Sequence, residues 1–195
     1  MNLKSVLRIL IAAMAAVSSG SSAADTVKKQ PKVLIAFYSY TGNTRAAAKQ
    51  IQAKIGGDLF EIKPVKAYPA KYNACVAQAK KEIRAGFVPA LSSGIDLARY
   101  DVIFIGSPNW WGTMAPPVLA FVKKNNFLNK TIVPFFTHGG GGMQQCESDM
   151  RKHCESAKAA KVLKALTCSG ASTHAPMPEL VKWAEDSLKT ARTKK

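Results

Sequence analysis

An α/β fold is what this sequence predicts: a three-layer sandwich in which a five-stranded parallel sheet, ordered 2-1-3-4-5, lies between two layers of helices. Two observations predict it. Short, nearly continuous apolar runs alternate along the chain with segments whose apolar residues recur at helical spacing. Strands buried on both faces read as such runs, and parallel strands need a crossover between them, so the alternation implies a parallel sheet covered on both sides. The second is the set of connections, which are right-handed in such sheets. Few topologies survive that rule, and 2-1-3-4-5 is the economical one, with ligands at the carboxyl ends of strands one and three.

Val33–Tyr38 is the first buried strand. Residues 44–56 then place Ala47, Ala48, Ile51 and Ile55 on one helical face, ended by Gly56-Gly57. Leu59–Ile62 is a brief second strand, and residues 71–85 form an amphipathic helix with Tyr72, Val76, Ala79 and Ile83 on one side and lysines opposite. Val102–Gly106 is the most apolar strand. Pro116-Pro117 opens the next helix, as proline favours a first turn. Thr131–Thr137 is the fourth strand despite Pro134, a polar helix covers about 145–154, and a weak fifth strand covers about 162–168. A last helix follows Pro178, with Leu180, Val181, Ala184 and Leu188 inward.

The chain of 195 residues fits one globular domain plus an extra segment at its start. Lys4 and Arg8 precede and enter the apolar run Val6–Val17, which ends in small residues up to Ala24. That is the pattern of a secretory signal peptide, expected over 1–24, followed by a short linker at 25–31 and the folded domain at 32–195. The run is short and alanine-rich for a membrane span, so no stable membrane insertion is expected after its removal. An exported, most simply periplasmic, protein follows. Losing Lys4 and Arg8 lowers the formal charge from +16 to +14. Such a surface attracts anionic partners, and an acidic docking surface is the expected complement. The basic residues lack interleaved aromatics and match no nucleic-acid module, so no nucleic acid is expected. The cysteine spacings match neither a zinc site nor a redox CxxC.

Three loops that would share the carboxyl edge of the sheet hold the chemistry. The first, Ser39-Tyr40-Thr41-Gly42-Asn43-Thr44, runs from strand to helix with neutral donors and no Lys or Arg before Arg45. A helix N-terminus there suits a phosphate, and the loop lacks the glycine spacing of a pyrophosphate turn. The second contains Pro108-Asn109-Trp110-Trp111-Gly112; tandem Trp at a strand end suits the covering of a flat aromatic ring. The third, Thr137-His138-Gly139-Gly140-Gly141-Gly142, fits a backbone that closely approaches a ligand, or one that is simply mobile.

Together the three loops resemble the flavodoxin family, more narrowly its members with a P-x-W-W-G second loop, over about residues 32–190. The resemblance implies a flavodoxin-like sandwich that binds flavin mononucleotide (FMN). It gives the phosphate to Ser39, Thr41, Asn43 and Thr44 with the N–H groups of Tyr40 and Gly42, and a face of the isoalloxazine to Trp110 or Trp111. Gly112 would sit near the reactive edge of the ring, and residues 137–142 on its other side. It further implies an electron-transfer protein served by a redox partner. An FMN-dependent oxidoreductase acting on quinones or similar small acceptors is one alternative, and a cofactor-free binding or scaffold protein another.

Four cysteines, Cys75, Cys146, Cys154 and Cys168, permit disulfides in an exported protein. Cys146 and Cys154 on one helix would stand roughly 12 Å apart, beyond the ~7 Å limit for bridged Cα atoms. Cys146, starting the fourth helix, and Cys168, ending the fifth strand, both lie toward the carboxyl edge and make the preferred pair; four reduced or differently paired cysteines are the alternative.

Overall fold

The structure is a computed structural model that describes residues 30–159 and 161–193. The signal-like segment 1–24 and residues 25–29 of the linker lie outside the described residues. Along the chain the elements are β1 (Val33–Phe37), α1 (Asn43–Ile55), β2 (Asp58–Glu61), α2 (Tyr72–Arg84), β3 (Val102–Trp110), β4 (Thr113–Met114), α3 (Pro116–Lys124), β5 (Thr131–His138), α4 (Cys146–Ser156), β6 (Lys161–Val162), β7 (Leu166–Ser169) and α5 (Pro178–Arg192). No described helix is long and apolar enough to cross a membrane.

The strands lie parallel in the order β2-β1-β3-β5-β6, with β7 continuing the outer position beside β5. This is the expected sandwich. Period-two alternation divides the central strands between two cores. Leu34 and Ala36 of β1, Ile103 and Ile105 of β3, and Ile132 and Phe136 of β5 face α2, α3 and α4. Val33, Ile35, Phe37, Val102, Phe104, Val133 and Phe135 face α1 and α5. Gly106 is required by the second core: a Cβ there would lie 2.2 Å from the ring of Phe135, its neighbour on β5.

Two departures have local causes. The single fifth strand expected over 162–168 is split into β6 and β7. Ile132 pairs with Val162 but Phe135 with Leu166, so the edge strand gains one residue opposite the stretch containing Pro134. Proline has no N–H to donate, and a bulge is where a sheet accommodates that. The third strand also runs past Gly106 to Trp110 and turns back through the antiparallel β4, which the apolar pattern did not announce.

The expected Cys146–Cys168 bond is corrected: all four cysteines are free and buried. Cys146 belongs to the core beneath α4. Cys168 stands two residues from Leu166, which packs against the other core, so period-two alternation puts Cys168 on that face of the sheet, away from Cys146. Sharing the carboxyl edge did not bring them together. Burial pushes the thiols of Cys146 and Cys154 up to about 12 and that of Cys168 to about 11, which makes them inert packing groups.

Candidate functional site

The first loop leaves β1 beside β3, where the Tyr38 N–H donates to the Gly106 carbonyl at 3.1 Å. Gly42 adopts φ +95°, a conformation side-chain-bearing residues rarely take, and its carbonyl accepts the Ala46 N–H at 2.9 Å to open α1. Gly42, at the N-cap, has no side chain to close the helix start. Ser39 Oγ accepts the Arg45 N–H at 3.2 Å, while the N–H groups of Thr41, Gly42, Asn43 and Thr44 have no acceptor among the described residues. Unfilled donors at the positive end of a helix dipole are the complement of an anion.

The four polar side chains assigned to a phosphate take separate places. Thr41 is exposed at the tip of the loop. Ser39 is buried against Arg45. Thr44, 1% exposed, shares a 2.9 Å hydrogen bond with the Thr137 hydroxyl and so ties α1 to the end of β5. Asn43 Oδ1 lies 3.0 Å from His174 Nε2.

The second loop is set by Ser107 and Asn109. Ser107 Oγ accepts the Ala115 N–H at 2.9 Å, holding the return of the hairpin. Asn109 Oδ1 accepts the Gly112 N–H at 2.9 Å, and its Nδ2 donates to the Gly142 carbonyl at 2.8 Å. The tandem tryptophans diverge. Trp110 stands edge-on to Tyr38, Tyr40 and Tyr68, with centroids 5.6, 5.9 and 4.8 Å away. Trp111, at φ +54° and 51% exposed, donates its indole N–H to the Val76 carbonyl, and Lys80 Nζ lies 4.5 Å over its ring. Pro108 pairs with Thr137 in the sheet.

In the third loop His138 Nδ1 accepts the Gly140 N–H at 3.0 Å, which places the proton of the neutral ring on Nε2. Gly139, Gly140 and Gly141 are exposed. Just beyond this loop the Gln145 N–H donates to the Gly112 carbonyl at 2.9 Å. The Gln144 amide lies between Gly112 and Gly141, where a Cβ would approach it to 2.8 and 3.0 Å respectively.

All three loops are therefore joined in pairs: first to second through Tyr40 and Trp110, first to third through Thr44 and Thr137, second to third through Asn109 and Gly142. A fourth segment was not foreseen. Gly170 packs so tightly on the Asn43 amide that a Cβ would meet it at 2.3 Å, and His174 follows on the same turn. Its signal was its position just beyond the carboxyl end of the last strand. Tyr68 was missed as well, because a lone aromatic in a long loop has no periodicity. The Tyr40 hydroxyl donates to the Pro69 carbonyl at 2.6 Å and brings that loop over the first.

The walls are neutral. Burial, reinforced for Tyr68 by its hydrogen bond to Glu82, raises the phenols of Tyr38 and Tyr68 well above their ordinary range. Burial likewise raises Tyr40 and the Cys75 thiol. The edge thus offers N–H donors to an anion and an aromatic, uncharged flank to a ring, an arrangement for binding and orienting.

A family model described as Flavodoxin matches residues 32–186. Among solved structures, a protein of Bacteroides uniformis described as a candidate flavoprotein is 28% identical, with TM-score 0.69, covering 80% of this chain and 99% of its own. One of Bacteroides eggerthii with the same description is 26% identical, with TM-score 0.69, covering 84% and 99%. A Lactobacillus acidophilus flavoprotein solved in complex with FMN is 25% identical, with TM-score 0.57, covering 73% and 95%. No curated protein sequence matches the chain.

Proposed function

The chain belongs to the flavodoxin family, and from that premise we propose that it binds FMN and works as an electron-transfer protein outside the cytoplasm. The observation that carries the cofactor assignment is the start of α1. Four successive N–H groups, Thr41 to Thr44, have no acceptor among the described residues, and the loops around Trp110 and Gly140 flank them on the same edge. A terminal phosphate fits those donors, with Thr41 as the freely exposed hydroxyl. The neutral Tyr38, Tyr40, Trp110 flank fits an isoalloxazine.

Bound FMN supplies the electron chemistry. The N–H groups at 41–44 would hold its phosphate, and Trp110 and Tyr40 would shield the ring from water. Asn109 keeps the second and third loops at a fixed separation by bonding both. His138, with its Nδ1 proton-free and bonded to Gly140, presents Nε2–H as a donor from the third loop.

Two features support the remaining parts of the reading. The signal-like N-terminus supports export. The exposed Tyr72 and Trp111 beside Lys71, Lys80, Lys81 and Arg84 support docking of a redox partner with an acidic surface, since Glu82, the acidic residue within α2, is held by Tyr68 and Gln78. Association with such a partner slows as ionic strength rises.

The test is titration of apo-protein with FMN, riboflavin and FAD, followed by flavin fluorescence. Saturable binding of FMN, tighter than riboflavin, is expected; equal affinity for the two overturns the phosphate assignment. Negligible steady-state NAD(P)H oxidation with a benzoquinone acceptor is expected of a carrier. Rapid turnover would make the protein an oxidoreductase, and failure to retain flavin under any reconstitution condition would make it a scaffold.

A further inference from the structure

We infer that Tyr68 and Glu82 form a one-electron redox site, in which Tyr68 gives an electron to oxidised Trp110 while its phenolic proton passes to Glu82. The inference does not depend on the FMN reading, because it requires only a one-electron oxidant that reaches Trp110.

Trp110 is the meeting point of three tyrosine rings. Tyr68 is the nearest, with its centroid 4.8 Å away and its plane at 83°, against 5.6 Å for Tyr38 and 5.9 Å for Tyr40. Rings in edge contact exchange an electron readily, so all three are placed to refill a tryptophan that has lost one. What separates them is the proton. An oxidised phenol is a strong acid, and a buried tyrosine gives up its electron easily only where a base takes the proton in the same step.

Among the three, Tyr68 alone has such a base. Its hydroxyl donates to Glu82 Oε2. The other oxygen, Oε1, accepts from Gln78 Nε2 at 2.7 Å, one turn earlier on α2, and this fixes the carboxylate. The Tyr40 hydroxyl donates to the carbonyls of Pro69 and Ala70 at 2.6 and 3.1 Å, and an amide carbonyl is too weak a base to keep a proton. The Tyr38 hydroxyl, on a buried ring, has no acceptor among the described residues. Burial and the bond to Glu82 raise the Tyr68 phenol, so at rest it keeps its proton.

The step balances. One electron leaves Trp110 for the oxidant, one electron moves from the Tyr68 ring to Trp110, and one proton moves from Tyr68 Oη to Glu82 Oε2. Trp110 is restored, Tyr68 is left as a neutral radical and Glu82 as a carboxylic acid. The positive charge ends by neutralising a carboxylate instead of standing among buried rings, where it would be costly. When an electron donor reduces Tyr68 again, the proton returns along the same hydrogen bond.

The test uses the full chain without flavin. Trp111→Phe and Tyr72→Phe form the background, since those exposed rings would intercept a dissolved oxidant. The oxidant is flash-generated tris(bipyridine)ruthenium(III), and transient absorption follows tryptophanyl and tyrosyl radicals. Trp183, packed against the other core, gives a signal common to all variants. A tyrosyl signal should grow as the tryptophanyl signal decays, more slowly in heavy water. Tyr68→Phe and Trp110→Phe should each abolish that growth, and Tyr38→Phe and Tyr40→Phe should keep it. Glu82→Gln still offers the Tyr68 hydroxyl an acceptor, and Gln78 can turn its amide to match, so the fold is kept and the base is lost. Transfer in Glu82→Gln should slow about a hundredfold, the scale of general-base proton transfer. Far-UV circular dichroism and urea midpoints establish that each variant is folded. Tyrosyl growth that persists in Tyr68→Phe, a native rate in Glu82→Gln, or a tryptophanyl radical that never transfers in the background protein overturns the inference. None of these outcomes involves flavin, so failure of the FMN titration is read separately.

Discussion

Trp110 and Trp111 are adjacent in sequence and serve different surfaces. Trp110 is wedged against Tyr38, Tyr40 and Tyr68, whereas the positive φ of Trp111 swings its ring onto α2 beneath Lys80. Replacing Trp110 with Ala should weaken FMN binding about tenfold and raise the fluorescence of bound flavin, since aromatic contacts contribute on the order of 1 kcal/mol beyond burial. Trp111→Ala should leave affinity within about twofold. Equal effects on fluorescence titration would mean that the two rings have been wrongly separated. The Thr44–Thr137 pair allows a second test at this scale. Thr44→Val strands a buried hydroxyl and should lower stability by about 1–3 kcal/mol in urea unfolding. The double variant with Thr137→Val should recover part of the loss, because removing both partners leaves nothing unsatisfied. A double variant as unstable as the sum of the singles would count against the pair.

At the scale of elements, the close approach of β3 and β5 sets the frame of the site. Gly106 lies under the Phe135 ring, and the next residues of β3 lead directly into Asn109 and Trp110. Gly106→Ala forces an overpacked contact between central strands and should cost about 1–3 kcal/mol. Its urea midpoint should drop with an unchanged slope; an unperturbed midpoint would mean that Phe135 can move aside freely. The outer strand behaves differently. Its extra residue opposite the Pro134 stretch is absorbed at the sheet edge, where only one neighbour is affected, and β7 still delivers Gly170 and His174 to the carboxyl edge. A helix contributes as much as a strand here: Gln50, two turns into α1, holds the 173–177 segment in place.

Across the whole molecule, the cysteines give a measurable signature. Four thiols per chain should react with Ellman's reagent in denaturant and essentially none in the native state; two reactive thiols after unfolding would restore a disulfide. Their protonation also sets an alkaline limit. Below pH 9, the ordinary thiol value, both states keep these protons. Above it the unfolded chain releases them, while Cys146 and Cys154 hold theirs to about 12 in the native protein. Stability should therefore fall as pH rises from about 9 toward 12. Urea midpoints between pH 8 and 11 would check this, and a midpoint flat to pH 11 would refute it.

What the sequence by itself determined is whatever neighbouring residues along the chain decide together. Apolar runs and helical spacing located the central strands and their covering helices, and crossover handedness then ordered the sheet. The three loops were legible because each follows a strand directly and its composition is local. Only the tertiary structure decided which loop side chains face a ligand and which face each other. Thr44 looks no different from Thr41 in sequence, yet Thr137, 93 residues away, takes its hydroxyl. The face on which Cys168 lies depends on strand register, and a single shift of parity places it across the sheet from Cys146. Gln50 meets the backbone of the 173–177 segment because α1 packs against α5 and the turn at 170–172. Such pairings depend on positions far apart in the chain, and residue type and local spacing carry no record of them.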